Sequence, residues 1–384
     1  MKRGLALLLG LLLLIPLGGK RGAHANFREL EQLLVVRTMG LDAYRGGVTL
    51  SLASSGDSEH GPRRLQADGT SVTAAMDRLS SFSYEQVLFC SQIQQLLIGE
   101  QEAEAGIGSA LTYVERSPEL RLDLPLFVVR GGTAREAVMD VGGGGQGICD
   151  VMDAVRLNLR RRGDCGLTRA EEVLRDERRC GSALVCALVC RDASESEQSD
   201  DGGEADATRP LTVSPEGYAV IRDGKLCRYL TREQGIAVGL LKNRSGVAEM
   251  QLRDKYGRLA VLELTGGSSR LTPVWEDGAL TGLKVDCRVQ ANLVEIRGEG
   301  PRDETWLDDL TARFEAQIAG CLTGTLEASQ ELEADFLGLA AVAERSDPAA
   351  FRALPGPFAG QLPALSLEVT VRAQLNHSGD RKDV

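Results

Sequence analysis

"GYAVIRDGKLCRYLTREQGIAVGLL", residues 217–241, holds two kinds of structure in one short stretch. Its first half is a pair of apolar runs around Asp223-Gly224. That dipeptide suits a type I′ turn, whose central residues both take positive φ, so the run predicts a β-hairpin. Its second half opens with Thr231 and, three residues on, Gln234, the spacing of a capping box. Ile236, Val238, Leu240 and Leu241 then predict a short buried helix. A hairpin leading straight into a helix indicates an α+β unit beginning near Ser214.

Downstream, strands dominate. "LAVLELT" (259–265) and "LKVDCRVQANLVEIRG" (283–298) read as strands, the second shifting phase near Asn292 as a bulge would. Trp306, Leu310, Phe314, Ile318, Leu322, Leu326, Leu332, Phe336 and Leu339 recur near the helical period. They predict one long helix from Asp303 to Glu344, with Gly320 and Gly324 as kink points. "ALSLEVTVRAQL" (364–375) alternates with period two and closes the unit as a strand. Residues 213–376 are therefore expected to form a C-terminal domain, a sheet with one long helix on it, followed by a polar tail over 377–384.

Upstream, "GVTLSLAS" (47–54) alternates as a half-buried strand and "SVTAAMDRLSSF" (71–82) carries a helical apolar stripe. "QQLLIGE" (94–100) is a short apolar strand. "LRLDLPLFVVR" (120–130) alternates again, and Pro125, which cannot donate to a ladder, places that strand at an edge or a bend. "VGGGGQGICD" (141–150) lacks the Lys and Ser/Thr of a phosphate loop and reads as a flexible linker. A basic helix and the buried strand "GSALVCALVC" (181–190) follow. The N-terminal region, 26–191, is thus expected to hold two α+β subdomains, about 26–140 and 141–191. "DASESEQSDDGGEADATRP" (192–210) is acidic and nearly free of apolar residues, so burial cannot offset its ordering entropy. It predicts a disordered linker over 192–212, and its carboxylates lack the spacing of a helix-loop-helix calcium site. The fold class is multi-domain α+β, with mixed sheets flanked by helices.

Residues 1–25 read as a signal peptide: Lys2 and Arg3, an apolar run of about 14 residues, then Ala23-His24-Ala25. Cleavage is expected between Ala25 and Asn26. At 1.5 Å per residue the run covers roughly 21 Å, short of the roughly 30 Å hydrocarbon core. Lys20 and Arg21, between the run and the site, leave an uncleaved, tilted anchor as the alternative. The formal charge of −11 argues against a nucleic-acid partner, which would need a basic face. Nine cysteines at irregular spacing read as small buried hydrophobes, with a disulfide set as the other reading.

No catalytic, cofactor or metal set emerges. The three histidines, His24, His60 and His377, lie in no strand–turn–helix context, and Cys-x-x-Cys spacing is absent. "EADFLGL" (333–339) puts Asp335 within an apolar environment late in the long helix. This carboxylate either has a raised pKa suited to acid–base work or braces a neighbouring loop.

In order and spacing these segments resemble the Ger(x)C family of spore germination proteins, the C subunits of GerA-type nutrient germinant receptors. "ELEQLLVVRTMGLD" (29–42) is similar to the family's opening helix and strand, with Gly40 and Asp42 in its Gly-hydrophobic-Asp signature. The segment 217–241 looks like the start of the family's C-terminal domain, with Gly217, Glu233 and Gly235 in place. "NLVEI" (292–296), which holds Glu295, and "EADFLGL", with Asp335 and Gly338, match its later signatures. The resemblance implies three α+β domains and a non-enzymatic subunit on the outer face of the inner spore membrane. It implies polytopic A and transporter-like B subunits as partners, no cofactor, and a part in nutrient-triggered germination. One departure stands out. Members carry a lipobox Cys, whereas Gly19-Lys20 stands where Gly-Cys would be, and no Cys precedes Cys90. Export without a lipid of its own is the expectation. The alternatives are a soluble exported paralogue outside any receptor and a secreted hydrolase.

Overall fold

The structure is a computed structural model, and it describes residues 33–55, 61–82, 86–142, 147–192 and 211–376. The expected signal peptide, its cleavage site at Ala25 and Asn26, most of the acidic stretch, the polar tail and all three histidines lie outside them. The fold is α+β: two mixed sheets flanked by helices.

The large sheet draws on β1 (Leu33–Tyr44), β2 (Gly47–Ser54), β3 (Arg64–Gly69), β4 (Val87–Phe89), β5 (Gln95–Gly99), β6 (Pro125–Val129), β7 (Thr168–Arg169), β8 (Ser182–Asp192), β9 (Leu211–Arg222) and β10 (Lys225–Tyr229). Their order is β10-β9-β8-β6-β5-β1-β2-β3, with β4 alongside β1 and β7 alongside β6. The central β1, β5, β6 and β8 run parallel. Parallel strands joined by helical crossovers are covered on both faces, which is why they read as continuous apolar runs. Leu96, Ile98, Leu126 and Val128 face one core with α1 (Val72–Phe82), α3 (Gly108–Arg116) and α6 (Ala170–Cys180). Leu97, Phe127 and Val129 face the other with α4 (Ala134–Asp140) and α5 (Ile148–Leu159). The short α2 (Glu100–Ala105) continues directly from β5.

The small sheet is β11 (Ala248–Arg253), β12 (Leu259–Glu276), β13 (Ala279–Arg297) and β14 (Ser366–Asn376), in that order. α7 (Arg232–Leu241) and α8 (Glu304–Glu331) cover one face, through Ile236, Leu240, Phe314, Ile318, Leu322 and Leu326. The other face is solvated, so β14 alternates exposed and half-buried residues along its whole length. α9 (Leu339–Ser346), α10 (Pro348–Arg352) and a 3-10 turn over Phe358–Ala364 lead into it.

Several local expectations hold. Asp223 and Gly224 take φ of 49° and 75°, as a type I′ turn requires. Thr231 and Gln234 make both bonds of the capping box. The bulge falls at Val294, two residues beyond Asn292, where the β12–β13 register steps from Leu262↔Leu293 to Val261↔Glu295.

Three expectations are corrected. Pro125 does not mark an edge: β6 lies between β5 and β8, and Pro125 is its first residue, where a missing N–H is tolerated. The long helix does not run to Glu344. α8 ends at Glu331, the chain turns through Glu333 (φ 45°) and Gly338 (φ 79°), and α9 starts afresh. Apolar periodicity continues across this break because Phe336 and Leu337, in the loop, are buried in the same core. Finally, sheet membership divides the chain elsewhere than at 192–212. β8 and β9, on either side of the acidic stretch, are antiparallel neighbours from Ser182↔Arg222 to Asp192↔Leu211. The segment therefore joins two strands of one sheet, and β8 and β9 also reach the core of the small sheet, through Leu184 and Val220. Likewise β6 pairs with β8, so 26–140 and 141–191 contribute to one sheet.

Candidate functional site

The residues singled out from the sequence converge on no single pocket. Most of them hold elements together. Asp42, at the end of β1, is buried and aims both carboxylate oxygens at the first turn of α4: Ala134 N donates at 2.8 Å and Arg135 N at 2.7 Å. This fills unpaired donors of a helix N-terminus with an acceptor from a distant strand. Burial, the largest influence, raises the Asp42 pKa, and the two backbone bonds oppose it. Gly40 allows the same contact from below, since a Cβ there would lie 3.0 Å from Val138 and 3.2 Å from Ala134. Removing the Asp42 acceptor strands two partly buried N–H groups. Asp42→Ala is expected to lose about 2–4 kcal/mol of unfolding free energy, read by urea denaturation followed by circular dichroism; a loss under about 0.5 kcal/mol would mean that water replaces the carboxylate.

Asp335 does the corresponding work for α9. Its oxygens accept from Leu339 N at 2.6 Å and Ala340 N at 2.8 Å, and Gly338 turns the chain between them. Burial raises its pKa above the usual carboxylate value, with those two bonds opposing. Both oxygens are engaged, so of its two readings the geometry favours the brace over acid–base work. Gly217, at φ 69°, lets β9 bend: a Cβ there would stand 2.9 Å from Leu230 O. Glu233 and Glu295 are exposed; Glu295 pairs with Arg297 at 2.9 Å, and Glu233 lies in the first turn of α7.

Gly235 marks the junction of the large-sheet and small-sheet units. α7 approaches the segment 160–166 so closely that a Cβ on Gly235 would fall 1.9 Å from Asp164 O. Asp164 itself is buried. Burial works against its ionisation, but Arg162, which donates from Nε at 2.9 Å and Nη2 at 2.6 Å, and Arg232, at 3.4 Å, outweigh it and hold its pKa below the usual range. The junction also includes backbone bonds from Gly163 N to Val247 O and from Val247 N to Arg161 O.

A further buried polar cluster, not singled out from the sequence, sits in the small-sheet unit. Asp254 accepts from Trp306 Nε1 at 2.9 Å, Arg258 Nε at 2.7 Å, Arg258 N at 2.8 Å and Tyr256 N at 2.9 Å. Burial opposes its charge, yet these four donors hold its carboxyl down at about 2. Arg258 Nη2 donates to Pro301 O at 3.0 Å. A Trp some fifty residues beyond a turn aspartate gives no spacing signal, which is why the pattern missed it.

All nine cysteines are free thiols, five of them buried. Burial pushes the Cys90 thiol up to about 12 and Cys190 to about 11, so neither is a ready nucleophile. Among the described residues no group of three or more His, Cys, Asp and Glu side chains could hold a metal ion, and no helix is long and apolar enough to cross a membrane.

The described parts thus define a braced scaffold of two sheets, in which Gly40, Asp42, Gly217, Gly235, Asp335 and Gly338 serve packing and turns. Comparison with known proteins gives its family. Residues 216–379 match the family model "Spore germination B3/ GerAC like, C-terminal", and residues 26–141 match "Spore germination protein N-terminal domain". A solved structure, "Crystal Structure of the GerBC protein", aligns with a TM-score of 0.53 at 15% identity. The alignment covers 90% of this chain and 99% of that one, and at this identity it speaks for the fold. Among curated protein sequences none matches. The chain belongs to the Ger(x)C family of spore germination proteins, a family of germinant receptor subunits and not a known enzyme family.

Proposed function

We propose that this chain is the non-enzymatic C subunit of a nutrient germinant receptor, exported to the outer face of the inner spore membrane. There it assembles with a polytopic A and a transporter-like B subunit and takes part in nutrient-triggered germination. The observation that carries the reading is that family models match both ends of the chain, 26–141 and 216–379. The signature aspartates add support: Asp42 and Asp335 have both oxygens engaged by backbone N–H groups, which suits an assembly module better than an enzyme.

In this sequence no Cys precedes Cys90. A single acyl chain supplies only marginal membrane binding in any case. Contacts with the A and B subunits then hold the protein, and an interface of about 1,600 Å² suffices. Expressed alone in a sporulating host, the chain should appear in the soluble exported fraction; with A and B subunits it should move to the membrane fraction. Tight membrane association without partners, with residues 1–25 still attached by mass, would show that the apolar N-terminus is the anchor. Recovery in the soluble fraction that co-expressed partners leave unchanged would remove the receptor reading.

A further inference from the structure

A groove near the junction of the two sheets has a composition at odds with the chain as a whole. It has a volume of about 600 Å³ and lies between the segment 159–168, α6, the end of α7 with its following turn, and α9. Seven cations line it against three carboxylates, in a chain of net charge −11. Four of the cations are already paired in whole or part: Arg162 with Asp164, Arg175 with Asp176 at 3.0 Å, Arg179 with Glu344 at 3.0 Å, and Arg244 with Glu172 at 3.4 Å. The other three are not. Lys242, Arg160 and Arg345 have no hydrogen-bond or ion-pair partner for their charged ends among the described residues.

Lys242 is the telling one. Arg160 and Arg345 are exposed and solvated, whereas Lys242 follows α7 directly and is half-buried. Burial depresses its pKa, and Asp176, Asp335 and Glu172 act on it only at longer range. Of these, Asp335 has both oxygens engaged by α9, and Glu172 and Asp176 have arginine partners. A half-buried ammonium without a protein partner leaves its three N–H donors to water or to an incoming anion. The rim arginines raise the local potential for an incoming anion.

We propose that this junction groove binds a small oxyanion, a carboxylate- or phosphate-bearing metabolite, with Lys242 as the anchoring charge and Arg345 at the rim. Since the groove is walled by elements of both the large-sheet and small-sheet units, an occupant contacts both and tightens their junction. This binding activity goes beyond the proposed assembly role and does not rest on it.

The test uses the purified exported chain without partners. Malonate, its neutral isostere malonamide, and inorganic phosphate are titrated separately by calorimetry, with sodium chloride matching ionic strength. Saturable binding of malonate, of phosphate, or of both is expected, with none of malonamide; which of the two binds distinguishes a carboxylate from a phosphate ligand. Lys242→Met should weaken that binding about tenfold or more, the loss of one charge-assisted bond. Should Lys242→Met fail to fold by circular dichroism, Arg345→Gln, an exposed change, should weaken it several-fold. Absence of saturable binding by either anion overturns the proposal, as does binding that both folded variants retain unchanged.

Discussion

Asp254→Ala is expected to lower the stability of the small-sheet unit by about 3–5 kcal/mol, the range for removing one partner of a buried charge pair. The carboxylate is the acceptor for four donors, and its loss leaves Arg258 buried without its counter-charge and Trp306 Nε1 unpaired. Arg258 is shut off from water: its Nη1 is already buried without a partner, and the guanidinium sits 5.7 Å over the Trp306 ring and 5.1 Å over Tyr256. Both tryptophans of the chain, Trp275 and Trp306, belong to this unit, so tryptophan fluorescence in urea reports on it selectively. The double variant Asp254→Leu with Arg258→Met should recover much of the loss, because it removes both charges. The pH dependence has a defined sign. The folded pKa, about 2, lies below the ordinary 3.8, so the stabilisation is complete above 3.8 and is lost as pH falls toward 2. The gap between the native protein and Asp254→Ala should therefore narrow across that window. A gap under 1 kcal/mol at neutral pH would show the cluster to be dispensable.

Gly235→Ala should cost about 2–3 kcal/mol even though alanine favours a helix by about 1 kcal/mol over glycine. The added Cβ meets Asp164 O at 1.9 Å and Asp164 C at 2.9 Å, both backbone atoms, so α7 or the segment 160–166 must move. That movement also stretches the bond from Arg232 to Asp164. Gly239, one turn further along the same helix, is the control. Its Cβ would meet Gly163 O at 3.3 Å, a contact that a few tenths of an ångström relieves, so Gly239→Ala should change stability by less than about 1 kcal/mol. Comparable losses at both positions in thermal unfolding would indicate a general intolerance of α7, not a specific contact at Gly235.

The candidate residues were legible in unequal degree. Asp335 was found because an apolar run surrounds a lone carboxylate, and the same surroundings bury it. Asp42 and Gly40 came with the family signature, yet the partner that explains them, the start of α4, lies more than ninety residues away. Asp164 and Lys242 gave no signal. Each is one charged residue among many in a chain with 44 cations and 55 acids, and only proximity in space singles them out.

What the sequence determined by itself is local. Period-two alternation set β14, helical period set α1 and α8, and turn chemistry placed the hairpin at Asp223-Gly224. These depend on torsions and on which face of one element is apolar, both written in consecutive residues. What only the tertiary structure decided is which elements meet. β8 and β9 pair across the acidic stretch, Pro125 begins a central strand, and one run of helical periodicity splits into α8 and α9. Strands pair through N–H and C=O groups that nearly every residue carries, so a strand's own sequence does not name its neighbour. A core likewise accepts apolar side chains from a helix or from the loop that interrupts it, as it does Phe336 and Leu337, so their spacing cannot reveal the break.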